Sequence, residues 1–321
     1  MTAWIIFVCF VYSDCFVTPS LSSVKHLRIS LAERLADPDL TMLVVVLIWA
    51  GNYSAIKAAL VEMDPYVFLA VRFLLATVLL VILLYWREGG LSFPKGSFWK
   101  LVWLGVIGNT SFQLFFVNGV ARTTSANSSL MVTTTPLIIA LAGRLAGIEK
   151  ITRRTAIGLA LALSGVAIVM LMRGASVSRE SIIGDLLVLG AVLSWAIYVL
   201  GLRTVIGEIS SLRVTALTMV TGTPGLMIAA VPGLMQTDWR DVGIRSVISI
   251  FYSGCLALVM CYIIYNRSVR LIGGVRTSIY MCMIPVVAAL IAWPVIGEKP
   301  TLMQALGAIL ISAGVLIAQR R

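Results

Sequence analysis

Ten apolar runs, each about 17 to 21 residues long and nearly free of charge, follow one another between residues 41 and 318. They cover approximately 41–60, 67–86, 101–121, 127–146, 155–172, 184–202, 213–232, 246–265, 277–296 and 302–318. A helix needs about 20 apolar residues to cross the hydrocarbon core of a bilayer, and each run meets or approaches that length. Transmembrane β-barrels alternate apolar and polar residues along short strands, whereas these runs are continuous. The expected fold class is therefore an all-α polytopic membrane protein with ten transmembrane helices joined by short loops. Composition agrees, with 60% hydrophobic and 12% charged residues against roughly half and a quarter in soluble domains. A soluble enzyme, a disordered chain and a secreted disulfide scaffold are excluded.

The net charge of +11 does not mark a nucleic-acid partner, because the basic residues lie between the apolar runs and form no patch of their own. They report topology instead. With the N-terminus placed in the cytoplasm, the inner segments hold sixteen Lys and Arg residues, among them Arg87, Lys150, Arg203, Arg213, Arg267 and Arg276. The outer segments hold six: Arg122, Arg173, Arg179, Arg240, Arg245 and Lys299. This satisfies the positive-inside rule and places both termini of a multi-pass protein on the cytoplasmic side of the cell inner membrane. Cys9, Cys15, Cys255, Cys261 and Cys282 form no CxxC pair, and His26 is the single histidine and lies outside the runs. No metal and no cofactor are expected.

Residues 1–40 form a separate N-terminal extension. Residues 3–13 are apolar but short, Asp14 closes the run, and no basic segment precedes it, which fits a signal peptide poorly. Ser30 to Glu33 has a capping-box pattern that would open a short surface helix, and Asp37-Pro38-Asp39 would end that helix before the first span. An interfacial segment or an over-extended start is expected here.

An internal repeat organises the rest. Residues 127–168 align without gaps to 276–317 at an offset of 149, matching Ser129 with Ser278, Pro136 with Pro285, Glu149 with Glu298, Thr152 with Thr301, Gly158 with Gly307 and Gly165 with Gly314. A weaker match at offset 146 pairs Asp39, Trp49 and Ala50 with Asp185, Trp195 and Ala196. Apolar composition aligns Leu and Val by chance but not Pro, Glu, Thr and Gly in one register. The chain thus divides into a first five-helix repeat, 41–172, and a second, 184–318. An odd number of crossings inserts the second copy upside down, an arrangement common in transporters that gives two alternative packings.

The ten spans in two repeats resemble the EamA-like family of the drug/metabolite transporter superfamily. The resemblance rests on Leu47-Ile48-Trp49-Ala50-Gly51-Asn52-Tyr53 in the first span, Arg72-Phe73 near the start of the second, Pro136 and Pro285 within spans four and nine, Gly297-Glu298 after span nine, and the glycines of spans five and ten. Ile148 stands before Glu149 where the second copy has Gly297. The resemblance covers residues 40–318. It implies export or exchange of small metabolites, amino acids or drugs.

Within the runs, the polar and aromatic residues are the candidates for a solute site. Pro136 and Pro285 each remove a backbone donor and free the carbonyl four residues earlier, Val132 or Met281, which is tolerated at membrane depth only where protein or a water-lined cavity satisfies it; both a hinge and a packing kink fit. Thr133, Thr134 and Thr135 are at hand to satisfy the freed groups. Trp49, Asn52 and Tyr53 lie near the middle of span one, Trp195 and Tyr198 at related depth in span six, Gln113 in span three, Tyr262 and Tyr265 in span eight and Tyr280 in span nine. Together they would line a cavity with aromatic faces and a few polar contacts, suited to an amphipathic organic solute; packing in the core is the alternative for each. Lys57 and Arg72 lie near the outer ends of their spans, where long basic side chains usually snorkel to the headgroups; Glu62 and Asp64 are plausible partners, and a cationic mouth for a solute carboxylate is the sharper alternative.

Gly158 and Gly165, like Gly307 and Gly314, are seven residues or about two helical turns apart and share a face. Such faces suit close helix packing, within the bundle or in a homodimer. No Asp or Glu lies deep in any run, so a proton relay is not expected, and a uniporter or exchanger, or coupling through a less obvious group, is. The expected function is transport of a small organic solute across the lipid bilayer by alternating access, outward, with a membrane-embedded enzyme or a non-transporting receptor or assembly protein as the alternative.

Overall fold

The computed structural model describes residues 37–122, 132–148, 150–171, 179–205, 209–284, 286–287 and 302–319. The expectations for residues 1–36, for Pro285 and for Glu149 and Glu298 lie outside the described residues, as do the side chains of Tyr53 and Lys57. Among the described residues the regular structure is helical throughout, in ten successive segments. These are α1 (Pro38–Ala59), α2 (Pro65–Glu88), α3 (Phe98–Gly105, Val106–Ser111 and Phe112–Arg122 in one run), α4 (Thr135–Leu145) and α5 (Arg153–Leu171). The second series is α6 (Arg179–Leu202), α7 (Ser211–Gln236), α8 (Ile244–Phe251, Tyr252–Met260 and Cys261–Ile272 in one run), α9 (Gly274–Ile279, continued by Tyr280–Met283) and α10 (Leu302–Gln319). Five of them, α2, α3, α6, α7 and α8, are long and apolar enough within the described residues to cross a membrane.

Local chemistry sets the helix starts. Asp37 and Asp64 each precede a proline at the first helical position, and each carboxylate accepts from backbone N–H groups: Asp37 from Asp39 at 2.9 Å, Asp64 from Tyr66 at 2.9 Å and Val67 at 3.2 Å. The side-chain acceptor satisfies orphan donors, and the proline has no donor to leave unsatisfied. Asp37-Pro38 therefore opens the first span three residues before its apolar run. α8 departs more from its run, continuing to Ile272 through the polar residues Asn266, Arg267 and Ser268. The fourth span breaks at its proline: residues 132–133 are helical, a turn follows at Thr134, and Pro136 stands in the first turn of α4. The Thr135 hydroxyl donates to the Val132 carbonyl, the group that the proline frees.

The two repeats are related by an approximate two-fold axis. On α5 and α10, a Cβ added to Gly158 would lie 2.5 Å from the Gly314 carbonyl oxygen, and one added to Gly314 would lie 2.5 Å from that of Gly158. Gly165 approaches the Gly307 carbonyl in the same way, at 2.6 Å. Gly158 thus faces Gly314 while Gly165 faces Gly307, so the two helices run antiparallel. Under the sequence offset of 149 these contacts exchange with each other, which is the signature of an isologous, two-fold interface. The glycine faces are a seam inside the bundle.

The other helices follow the same symmetry. α1 packs on α8 and α3 on α6, while α2 packs on its own counterpart α7. The hydroxyls of Thr77 and Thr223, 146 residues apart, meet at 2.7 Å. Gly105 of α3 abuts Thr218 and Thr221 of α7, and Gly254 of α8 abuts Arg72 and Leu75 of α2. Large apolar side chains such as Trp86, Leu145 and Met235 face outward, as suits a bundle whose surroundings are lipid. The fold is an all-α polytopic membrane protein built from two inverted five-helix repeats.

Candidate functional site

α3 and α8 each carry a π-helical stretch, Val106–Ser111 and Tyr252–Met260, at corresponding places in the two repeats. Such insertions are common at functional positions because they rotate the residues that follow relative to those before. Beyond the first stretch stand Phe112 and Gln113; beyond the second stand Tyr262, Tyr265 and Asn266.

These side chains meet Trp49 of α1 and Trp195 and Tyr198 of α6. Trp49 and Trp195, equivalent at offset 146, touch edge-on with ring centroids 6.5 Å apart. Tyr262 lies 6.2 Å from the first and 5.6 Å from the second, and Tyr265 lies 5.6 and 5.4 Å from them. Phe112 and Tyr198 complete the ring around Trp195, at 5.1 and 5.2 Å. The arrangement is mostly tilted or T-shaped, as the aromatic quadrupole favours.

The polar edges of these rings are largely paired. Trp49 Nε1 donates to the Ala257 carbonyl at 3.0 Å, and Trp195 Nε1 to the Tyr265 hydroxyl at 3.3 Å. Asn266, fully buried, donates to the Tyr198 hydroxyl at 3.1 Å and to Thr215 Oγ1 at 2.8 Å. Tyr198 fits against α3 only because residue 108 is glycine, since a Cβ there would lie 2.2 Å from its ring. Trp195, Tyr198, Tyr262 and Tyr265 are buried in this conformation, and Trp49 and Phe112 are half-buried against them.

A charged group adjoins the aromatic layer. Arg72, 4% exposed, is the only buried charged side chain among the described residues. It lies seven residues, about 10.5 Å of helix rise, from Pro65. It does not snorkel. Its carbonyl packs on Gly254, and its guanidinium lies 5.3 and 5.6 Å from the ring centroids of Phe68 and Phe73, which shield it. Its Nη2 donates to Gln113 Oε1 at 3.0 Å, and Tyr262 faces both Gln113 and the arginine charge. An arginine at mid-helix costs about 2.5–3.5 kcal/mol on insertion scales, so its burial calls for compensation. Neither carboxylate expected to partner it does so. Glu62 accepts instead from the Gly243 N–H at 2.9 Å and the Ser246 hydroxyl at 2.6 Å, and Asp64 caps α2.

The remaining candidates lie apart. Asn52, half-buried, accepts from the Ser253 hydroxyl at its Oδ1, a bond that ties α1 to α8. Tyr280 donates to Asp39 at 2.8 Å, near the start of α1. Pro136 is buried at the start of α4. A groove of about 370 Å³ runs between α3 and α6, lined by Leu114, Phe115, Asn118, Arg122, Ile183 and Leu187. Three contributors were not singled out in the sequence: Asn266, which follows the apolar run by one residue; Phe112; and Asn109, four residues before Gln113, whose amide donates to the Thr218 carbonyl of α7 at 2.9 Å. The signal for Asn266 and Asn109 was an amide in or beside an apolar run at helical spacing from a residue already marked. Among the described residues no group of three His, Cys, Asp or Glu residues is placed to hold a metal.

The EamA-like transporter family model matches residues 38–171 and again 182–319. The chain belongs to the EamA-like transporter family. An uncharacterized transporter of Archaeoglobus fulgidus is 29% identical over 289 residues, spanning 87% of this chain and 96% of that one. The uncharacterized transporter YyaM of Bacillus subtilis is 27% identical, spanning 92% and 94%. A probable terminal-alkyne amino-acid exporter of Streptantibioticus cattleyicolor is 22% identical, spanning 87% and 92%. One crystal structure superposes with a TM-score of 0.72 at 17% identity, over 88% of this chain and 96% of that one. By family, this EamA-like protein is a multi-pass membrane transporter for a small solute and not an enzyme.

Proposed function

We propose that this transporter exports small organic metabolites, amino acids or related compounds or drugs, across the cell inner membrane by alternating access, with both termini in the cytoplasm. The solute site is the aromatic layer of Trp49, Trp195, Tyr198, Tyr262 and Tyr265, with Arg72 and Gln113 at its polar edge. The observation that carries this reading is the meeting of Trp49 and Trp195 on the approximate two-fold axis. A site on that axis is bounded by both repeats. Rocking one repeat against the other opens it first to one side and then to the other. The aromatic faces suit the apolar body of an organic solute. The likeness to a probable amino-acid exporter supports the solute class, and the basic residues of the inner segments support the orientation.

The test is flux. Proteoliposomes holding the full chain are loaded with labelled amino acids, nucleosides and cationic drugs, and efflux is followed for wild type and Trp49→Ala. Efflux of at least one solute is expected, with a loss of about tenfold or more in the variant and an unchanged yield of folded protein. Folded protein that moves none of them overturns the reading. A Trp49→Ala loss confined to folded yield returns Trp49 to the core.

A further inference from the structure

Resting on that transport reading, we propose that Arg72 is the seat for the carboxylate of the transported solute, so that the substrate is an organic anion with an apolar body. A guanidinium carries five N–H donors in a fixed planar fork. Gln113 takes one of the donors on Nη2, and Nε, although buried, has no partner. Phe68 and Phe73 offer ring faces to the charge but no acceptor for the N–H groups. Glu62 and Asp64, the nearest acidic residues in sequence, are committed to α8 and to the α2 cap. Among the described residues no carboxylate pairs with Arg72.

A buried guanidinium with an open N–H edge matches a planar carboxylate, which accepts two parallel hydrogen bonds from Nε and the adjacent nitrogen. One positive charge balances one negative charge. In the second repeat Thr218 occupies the place of Arg72, at the offset of 146, and abuts Gly105 as Arg72 abuts Gly254. Only the α2 side of the site is therefore charged. The solute lies with its carboxylate toward α2 and its apolar body against Trp49 and Tyr262. Gln113 orients the guanidinium by holding Nη2.

The test measures binding to the purified full chain of a panel of carboxylates with graded apolar bodies, acetate to phenylpropionate, each beside its neutral amide. At least one anion is expected to bind about tenfold or more tightly than its amide, the scale of a charge-assisted hydrogen bond. Arg72→Gln abolishes that preference, so that the anion binds no more tightly than its amide. Gln113→Glu, which supplies Arg72 with an internal carboxylate, abolishes it as well, and it decides the matter if Arg72→Gln does not fold. Equal binding of every anion and its amide, no binding by any panel member, or a preference that survives Gln113→Glu in folded protein overturns the proposal. Efflux of neutral or cationic solutes without anion preference sinks the carboxylate seat and leaves transport standing. Anion binding at Arg72 without flux of any solute does the reverse.

Discussion

The seam between α5 and α10 and the layer around Arg72 are both formed by the two repeats, yet they treat the repeat symmetry in opposite ways. At the seam each glycine meets a glycine of the other copy, and the contacts exchange under the repeat offset. In the layer, Arg72 of α2 corresponds to Thr218 of α7, and Gln113 of α3 to Tyr262 of α8. A duplicated chain that keeps a symmetric contact is keeping a close helix approach, for which glycine serves both copies alike. A chain that has lost symmetry at one depth has specialised that depth. The buried charge sits where the repeats differ, and the scaffold is where they agree.

Restoring symmetry in the specialised layer is the most damaging way to break this comparison. Thr218→Arg would give both repeats a buried guanidinium. Thr218 is fully buried, its hydroxyl bonds its own helix, and its carbonyl accepts from Asn109 at 2.9 Å. The second charge would cost about 2.5–3.5 kcal/mol, with the crowding against Gly105 added. The expected outcome is a large fall in thermal stability and folded yield, read by the melting of tryptophan fluorescence in detergent. A variant as stable as wild type would show that the layer tolerates charge generally, and Arg72 would lose its special place.

Breaking symmetry in the scaffold comes next. Gly165→Leu drives a side chain into the Gly307 carbonyl and Ile311, where overpacking costs about 1–3 kcal/mol. Gly314→Leu, across the approximate axis, meets Gly158 and Ala162 and is expected to lower the melting temperature by a similar amount. Effects of unlike size for the two variants would show that the seam is less symmetric than its contacts.

Much of this was legible in the sequence, for reasons that also mark where legibility ends. Long charge-free runs gave the spans, whereas Asp37-Pro38, expected to end a helix, and Asp64-Pro65, expected only as a partner for basic side chains, instead open α1 and α2 by chemistry local to four residues. The shared register of Pro, Glu and Gly revealed the repeat. Trp49 and Trp195 stood out together because the offset linked them. Arg72 was harder to read. Its distance from the span end suggested snorkelling, and its burial depends on Gly254, which lies more than 180 residues away and lets α8 close over α2. The two π-helical stretches leave no mark in hydropathy, because one extra residue in a turn changes the facing of side chains and not their polarity. Asn266 was missed because α8 outlasts its apolar run by a further seven residues. Local signals set the elements; contacts between distant helices set the site.

The smallest expected effect lies at the end of the bundle where α1 gives way to α2. Glu62 ties that loop to the start of α8 through Ser246 and the Gly243 N–H. These two hydrogen bonds hold its carboxyl below the ordinary value of 4.5, with Arg245 adding to the effect against the cost of burial. A carboxyl whose pKa is depressed on folding stabilises the fold above its unfolded value and loses that contribution as pH falls through the folded value. The latch is therefore complete at neutral pH and is lost only below the usual carboxylate range. Glu62→Gln is expected to lower the melting temperature slightly at pH 7 and to bring it level with wild type at the acid end of a titration. The crossing matters more than the size, because an exposed hydrogen-bonded carboxylate is worth little. If the gap between the two proteins is the same at every pH, the Glu62 charge is not what holds α8 to the α1–α2 loop, and this end of the bundle is held by the apolar packing of Ala59, Met63 and Phe68 alone.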